Sequence, residues 1–126
     1  MAGTNDTKLP ESELEIMLVL WEHTEPIRTA QIMAEVRRDW TLSTVKALLG
    51  RLAEKKFVEV TREGRFTLYR ALVREQDYRR RETHGLLRRY YKNSVADMVA
   101  SLASAGDLTD QDFDELEELI RKAGRK

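Results

Sequence analysis

The chain has 126 residues, with 22 basic against 22 acidic side chains, a formal net charge of +0 and no cysteine. This length suits one compact domain or two small linked modules and excludes a large multidomain enzyme. The charge balance excludes a global field toward nucleic acid or membrane, and the missing cysteines exclude disulfides, thiolate metal sites and thiol nucleophiles, so a reducing cytoplasm is the expected location.

Residues 1–9 are polar, precede Pro10 and read as a flexible arm. Ser12 followed by Glu15 has the form of a capping box, and Leu14, Met17, Leu18 and Trp21 recur behind it at helical spacing, which predicts a first helix over about 13–23. Pro26 breaks the chain and Thr29 is placed to cap a second, short helix over about 29–38 carrying Ile32, Met33 and Val36. Trp40 and Leu42 lie in a linking turn. A third helix over about 43–56 puts Val45, Leu48, Leu49 and Leu52 on one face and Lys46, Arg51, Lys55 and Lys56 elsewhere. After Lys56 the period changes to two: FVEVTR and FTLYRA read as strands joined at Glu63-Gly64-Arg65. The balanced total hides a local excess, because residues 37–70 hold nine basic residues (Arg37, Arg38, Lys46, Arg51, Lys55, Lys56, Arg62, Arg65, Arg70) against four acidic ones (Asp39, Glu54, Glu59, Glu63). Three helices followed by a basic hairpin describe a winged helix-turn-helix, whose third helix enters the major groove while the hairpin lies on the backbone. The fold class expected is mainly α with a small β-hairpin wing.

From Arg74 onward the spacing of Leu87, Tyr91, Val95, Met98 and Leu102 reads as one long apolar stripe led in by Tyr78. Gly106 interrupts it, and Thr109 with Asp112 opens a last helix carrying Phe113, Leu116 and Ile120. Two one-sided helices with nothing after them bury their stripes poorly within one chain. They pack either on the N-terminal domain or against a second copy, and the length of the stripe favours the copy. The expected organisation is thus a 1–9 arm, a 10–72 winged-helix domain and a 73–126 helical dimerisation domain.

Other side chains read more plainly. Trp21 and Trp40 are expected as core anchors, and Met17, Met33 and Met98 as core packing. Arg79, Arg80, Arg81, Arg88 and Arg89 read as a solvated helix face answering the acidic DQDFDELEE segment. His23 and His84 are the only histidines and share no recognisable ligand spacing with carboxylates, so no metal and no cofactor are expected. No nucleophile, histidine and acid arrangement and no glycine-rich phosphate cradle occurs, which argues against an enzyme. No apolar run reaches the roughly 20 residues of a membrane span, and the start MAGTNDTKLPESE lacks a signal-peptide core, so no membrane insertion is expected.

With its elements in this order, the sequence resembles the penicillinase-repressor family, the BlaI/MecI type that also includes CopY-type copper repressors. The resemblance runs from SELEIMLVLWE through TLSTVKALLGRLAEKKFVEVTREGRFTLYRALVREQD to DLTDQDFDELEELI, and its most specific parts are Leu20-Trp21 and the run from Thr44-Val45 through Arg51-Leu52 to Lys55-Lys56. It implies a homodimeric transcriptional repressor that binds a pseudo-palindromic operator with TACA/TGTA-type half-sites and dimerises through its C-terminal helices. In the β-lactam branch, a membrane sensor system triggers proteolysis of the repressor. By the same resemblance, Ser43, Thr44 and Lys46 match base-reading positions, Arg51 matches a backbone-contacting arginine, and Ser101-Leu102 aligns with the cleavage position. The chemistry of these side chains agrees: Lys46 donates to guanine O6 and N7, Thr44 offers a hydroxyl and a methyl, and Arg51 reaches phosphate. Arg62 and Arg65 flank the hairpin turn, where they contact the DNA backbone or guard the edge strand. Ser43 departs from the long residue of some members, and the copper branch's C-terminal cysteine cluster is replaced by LEELIRKAGRK. The dimer core would comprise Leu87, Tyr91, Val95, Met98, Leu102, Phe113, Leu116 and Ile120. The alternative from another class is a winged-helix interaction module that binds no DNA.

Overall fold

The computed structural model describes residues 8–124, which divide into two units between Glu82 and Thr83. The first unit runs α1 (Glu11–Leu20), β1 (Ile27–Arg28), α2 (Thr29–Glu35), α3 (Leu42–Glu54), β2 (Val58–Glu63), β3 (Phe66–Ala71) and the opening of α4 (Glu75–Tyr91). Helix α1 begins earlier than its Ser12 signal suggests. Pro10 occupies the N-cap, no side-chain cap is made, and Ser12 lies inside the first turn. Proline has no N–H to satisfy and a fixed φ suited to a helix start, so it displaces the serine from the capping role. Similarly, Arg28 rather than Thr29 caps α2, because Arg28 is held extended as part of β1.

Ile16, Met17, Ile32, Val45, Leu49, Leu52 and Phe57 are fully buried, so α1, α2 and α3 each contribute their apolar stripe to one core. The sheet has the order β1-β3-β2 and is antiparallel throughout, with Tyr69 central, opposite Ile27 on one side and Val60 on the other. Gly64 takes a φ of 64°, the sign that a two-residue hairpin loop needs at its first position. Helix α3 stops at Glu54, two residues before the sequence expectation. The Phe57 N–H donates to the Leu52 carbonyl at 2.9 Å and the Lys56 N–H to the Ala53 carbonyl at 3.0 Å, with Lys56 left-handed at φ 69°. That is a Schellman ending with lysine where glycine is usual.

The boundary falls after Glu82 rather than after Leu72 because the start of α4 belongs to the winged unit. The Tyr78 ring meets Phe57 edge-on at 5.9 Å and Trp21 at 5.8 Å, and its hydroxyl accepts the Leu9 N–H at 2.9 Å. Leu9, expected in the arm, is therefore buried at 4% exposure; the rest of that arm, residues 1–7, lies outside the described residues.

The second unit holds the rest of α4, α5 (Val95–Ser104) and α6 (Asp110–Ala123). The single long stripe read from the sequence is in fact two helices. Lys92 and Asn93 are both left-handed, at φ 49° and 67°, and end α4 before Ser94 caps α5 by accepting the Asp97 N–H at 3.0 Å. The last helix opens as expected, with a reciprocal Thr109–Asp112 capping box.

Candidate nucleic-acid interface

Helix α3 is held by one face and presents the other. Val45, Leu48, Leu49 and Leu52 are buried, while Ser43, Thr44, Lys46 and Arg51 are exposed. Its N-terminus is fixed by Thr41, whose hydroxyl oxygen accepts the Thr44 N–H at 3.1 Å and whose own proton goes to Thr44 Oγ1 at 3.1 Å. The start of the helix is therefore ordered without a protein side chain covering it.

The structure sorts the basic window by ion pairing. Arg38 makes a forked pair with Glu15, Lys55 pairs with Glu13, and Arg70 with Glu59 across the β2–β3 ladder. The hydrogen bonds that Arg38 donates to Glu15, together with the carboxylate's charge, raise the pKa of Arg38 and commit that guanidinium internally. Lys46, Arg51 and Arg65 are exposed and make no ion pair with another described residue, and Arg62 only donates to the neutral Thr67 Oγ1 at 3.0 Å. These four cations, with Arg37, which is likewise exposed and makes no ion pair with another described residue, remain available to an external anion. Sequence reasoning missed Arg28, whose guanidinium stacks 4.3 Å from the centre of the Phe66 ring at the wing. A two-residue strand carries no periodicity that would have marked it.

Trp21 and Trp40 pack against the core, and the Trp21 Nε1–H donates to the Val73 carbonyl at 2.7 Å. His23 faces Glu35 at 2.8 Å, a contact that, with Gln31, holds the Glu35 carboxyl below its ordinary range. Among the described residues no cluster suited to a metal ion occurs, and no helix is long and apolar enough to cross a membrane.

In the second unit neither α5 nor α6 has a single buried residue. Leu87, Tyr91, Met98 and Leu116 are half-buried, whereas Val95, Leu102, Phe113 and Ile120 are exposed, Val95 to 56% and Ile120 to 63%. Met98, expected as core packing, instead lines an open groove between α5 and α6 with Val99, Leu102, Leu108, Leu116 and Leu119. Ser101 and Leu102 lie within α5, and Ser101 Oγ accepts from the Tyr91 hydroxyl at 3.3 Å.

The family model for the penicillinase repressor matches residues 9–122 and so spans both units. The chain belongs to the penicillinase-repressor family. Among its relatives are the penicillinase repressor of Bacillus licheniformis, 27% identical over 91% of each chain, and the methicillin resistance regulatory protein MecI of Mammaliicoccus sciuri, 24% identical over 91% of this chain and 94% of that one. Solved structures extend the similarity. The solution structure of the DNA-binding domain of the repressor BlaI matches with a TM-score of 0.51 at 32% identity, over 56% of this chain and 88% of that one. The Bacillus licheniformis BlaI monomeric form in complex with the blaP half-operator matches with a TM-score of 0.50 at 30% identity, over 59% and 92%. The penicillinase-repressor family is one of DNA-binding repressors and not of enzymes, in agreement with the lack of any catalytic arrangement in the sequence reading.

Proposed function

We propose that this chain is a homodimeric transcriptional repressor that reads a pseudo-palindromic operator through α3 and the wing and is released by cleavage within α5. The observation that carries the reading is the exposed outer face of α3: two hydroxyls and a lysine at its start and Arg51 further along, the two cations making no ion pair with another described residue, in a member of a repressor family. Ser43, Thr44 and Lys46 read base edges, while Arg51, Arg62 and Arg65 hold phosphates. The BlaI neighbour bound to a half-operator supports the same use of this unit.

The second copy covers the apolar sides of α5 and α6, which a single chain leaves in water. Two-fold symmetry then places two α3 helices on two half-sites, and the second contact is made at high effective concentration. Cleavage at Ser101-Leu102, by a protease answering to a membrane sensor, would detach Leu102 and all of α6 from Leu87, Tyr91, Val95 and Met98. Opening α5 for a protease undoes little packing, since none of its residues is buried.

Two measurements test this. Titration of a duplex carrying two TACA/TGTA-type half-sites, against a scrambled duplex over a salt series, should give binding that prefers the operator and weakens steeply with salt. Failure to bind any duplex at about 50 mM salt would reject the DNA-binding reading. The chain truncated after Ser101 should be monomeric and bind weakly; dimerisation and operator affinity equal to those of the full chain would exclude this cleavage as the release step.

A further inference from the structure

The strand register separates the two faces of the wing. Ile27, Val60 and Tyr69 stand in one row across the sheet, and the buried Tyr69 marks their side as the one toward the helices. By the alternation of strand side chains, Arg62 and Thr67, paired two positions further along, share that face. Arg28, Leu68, Phe66 and Glu63 belong to the opposite one. Arg65 sits in the turn itself. Leaving aside Arg70, which pairs with Glu59, the sheet therefore carries a cation on its inner face, one at its tip and one on its outer face.

The outer cation comes from elsewhere in the chain. Arg28 ends β1 and caps α2, and the Arg28 guanidinium reaches along the sheet to lie 4.3 Å from the Phe66 ring centre. Phe66 is half in solvent, so the ring gains little from core burial where it stands. Its position is explained as a platform: the ring face attracts the guanidinium and fixes the plane of an otherwise mobile arginine. A guanidinium lying over a ring keeps N–H groups for an acceptor, and Arg28 makes no ion pair with another described residue.

We propose that Arg28, held on Phe66, is a backbone-contacting residue of the DNA interface, so that the wing grips phosphates from both of its faces. The inference rests on the reading of α3 and the wing as a duplex-binding surface and adds to it a residue outside the helix-turn-helix and the hairpin. A hairpin laid on a sugar-phosphate backbone that is to hold phosphates on either side of it needs cations on both of its faces. Arg62 and Arg28 on opposite faces meet that requirement, with Arg65 between them. Arg28 contacts no base edge in this arrangement, so it contributes affinity without sequence preference. Phe66 is a positioning residue and acts through Arg28.

The test uses full-length Arg28→Gln, Phe66→Leu and the double variant, titrated with the operator duplex and with a scrambled duplex over a potassium chloride series, beside Arg51→Ala. Arg28→Gln should weaken both duplexes by a similar factor, about threefold to tenfold, and lower the slope of log affinity against log salt by about one. Phe66→Leu should weaken binding less and leave the slope nearer that of the parent, and the double variant should bind no worse than Arg28→Gln alone. Because Arg28 and Phe66 are both exposed, melting curves should stay close to the parent's. An unchanged slope for Arg28→Gln, while Arg51→Ala lowers it, overturns this inference and leaves the DNA-binding reading standing. An additive loss in the double variant overturns the coupling of Arg28 to Phe66. If the parent chain binds neither duplex, the reading of the interface falls, and this inference falls with it.

Discussion

The carboxylate of Glu13, in the first turn of α1, lies 2.6 Å from the ammonium of Lys55, the C-cap of α3, and the Glu13 side chain is only 3% exposed. This pair ties the C-terminal end of α3 to the start of α1. Removing the lysine leaves a carboxylate buried without its cation. Lys55→Met should therefore cost about 3 kcal/mol by denaturant unfolding, whereas Glu13→Leu combined with Lys55→Met should be less harmful than that single change. A double variant as unstable as the sum of the two singles would show that the pair is not coupled.

Lys46 and Arg51 are both exposed on α3, on either side of its buried stripe, and the proposed reading gives them different roles. Lys46→Ala should lose roughly 1–3 kcal/mol on the operator and relax preference at one base position, while Arg51→Ala should weaken every duplex alike and reduce the salt slope by about one. Competition binding with single-base operator variants separates the two. Equal loss of specificity from both changes would contradict the assignment.

Val95 is the first residue of α5 and more than half exposed, so a charge there disturbs no internal packing. An aspartate at this position also suits the helix N-terminus. Val95→Asp should accordingly leave α5 intact and shift the protein toward monomer in sedimentation, with operator affinity falling as the dimer is lost. An unchanged dimer would remove Val95 from the interface.

Tyr78 links acid–base chemistry to stability. Burial raises the phenol's pKa above its ordinary value near 10, outweighing the opposite pull of the Leu9 N–H. The folded state thus holds the proton more tightly than the unfolded one, and this contribution is complete below about pH 10 and lost as pH rises through the higher folded value. Tyr78→Phe should flatten the alkaline fall in melting temperature. At neutral pH it should cost about 1–3 kcal/mol, because the Leu9 N–H then loses its acceptor.

The elements with strong periodicity were legible from residues alone: the stripes of Leu48, Leu49 and Leu52 and of Ile32 and Val36, the alternation around Gly64, and the Thr109–Asp112 cap. What stayed hidden has local causes. The sequence pattern of α3 continues through Lys56 because a left-handed lysine offers no glycine signal at a helix end. The break at Lys92 and Asn93 was hidden likewise, and the four-residue spacing of Tyr91 and Val95 happens to continue the stripe across a corner. Both ion pairing and stacking depend on tertiary proximity, so the sequence could name nine cations in the window but could not tell that Arg38, Lys55 and Arg70 are committed internally. For the same reason nothing in the sequence marks Arg28, which lies outside that window.

The corner at Lys92 and Asn93 bears on the rate and strength of the proposed pairing between chains. Two adjacent left-handed residues, closed by the Asn93 N–H on the Leu87 carbonyl at 3.1 Å and the Ser94 N–H on the Tyr91 carbonyl at 2.8 Å, set the direction in which α5 leaves α4 by backbone geometry instead of by packing. Such residues cost about 1–2 kcal/mol each when they are not glycine, with asparagine at the lower end. That strain is present before any encounter. In the proposed dimer a second chain would therefore meet a template whose angle is already chosen, and association would not bear the entropy of choosing it.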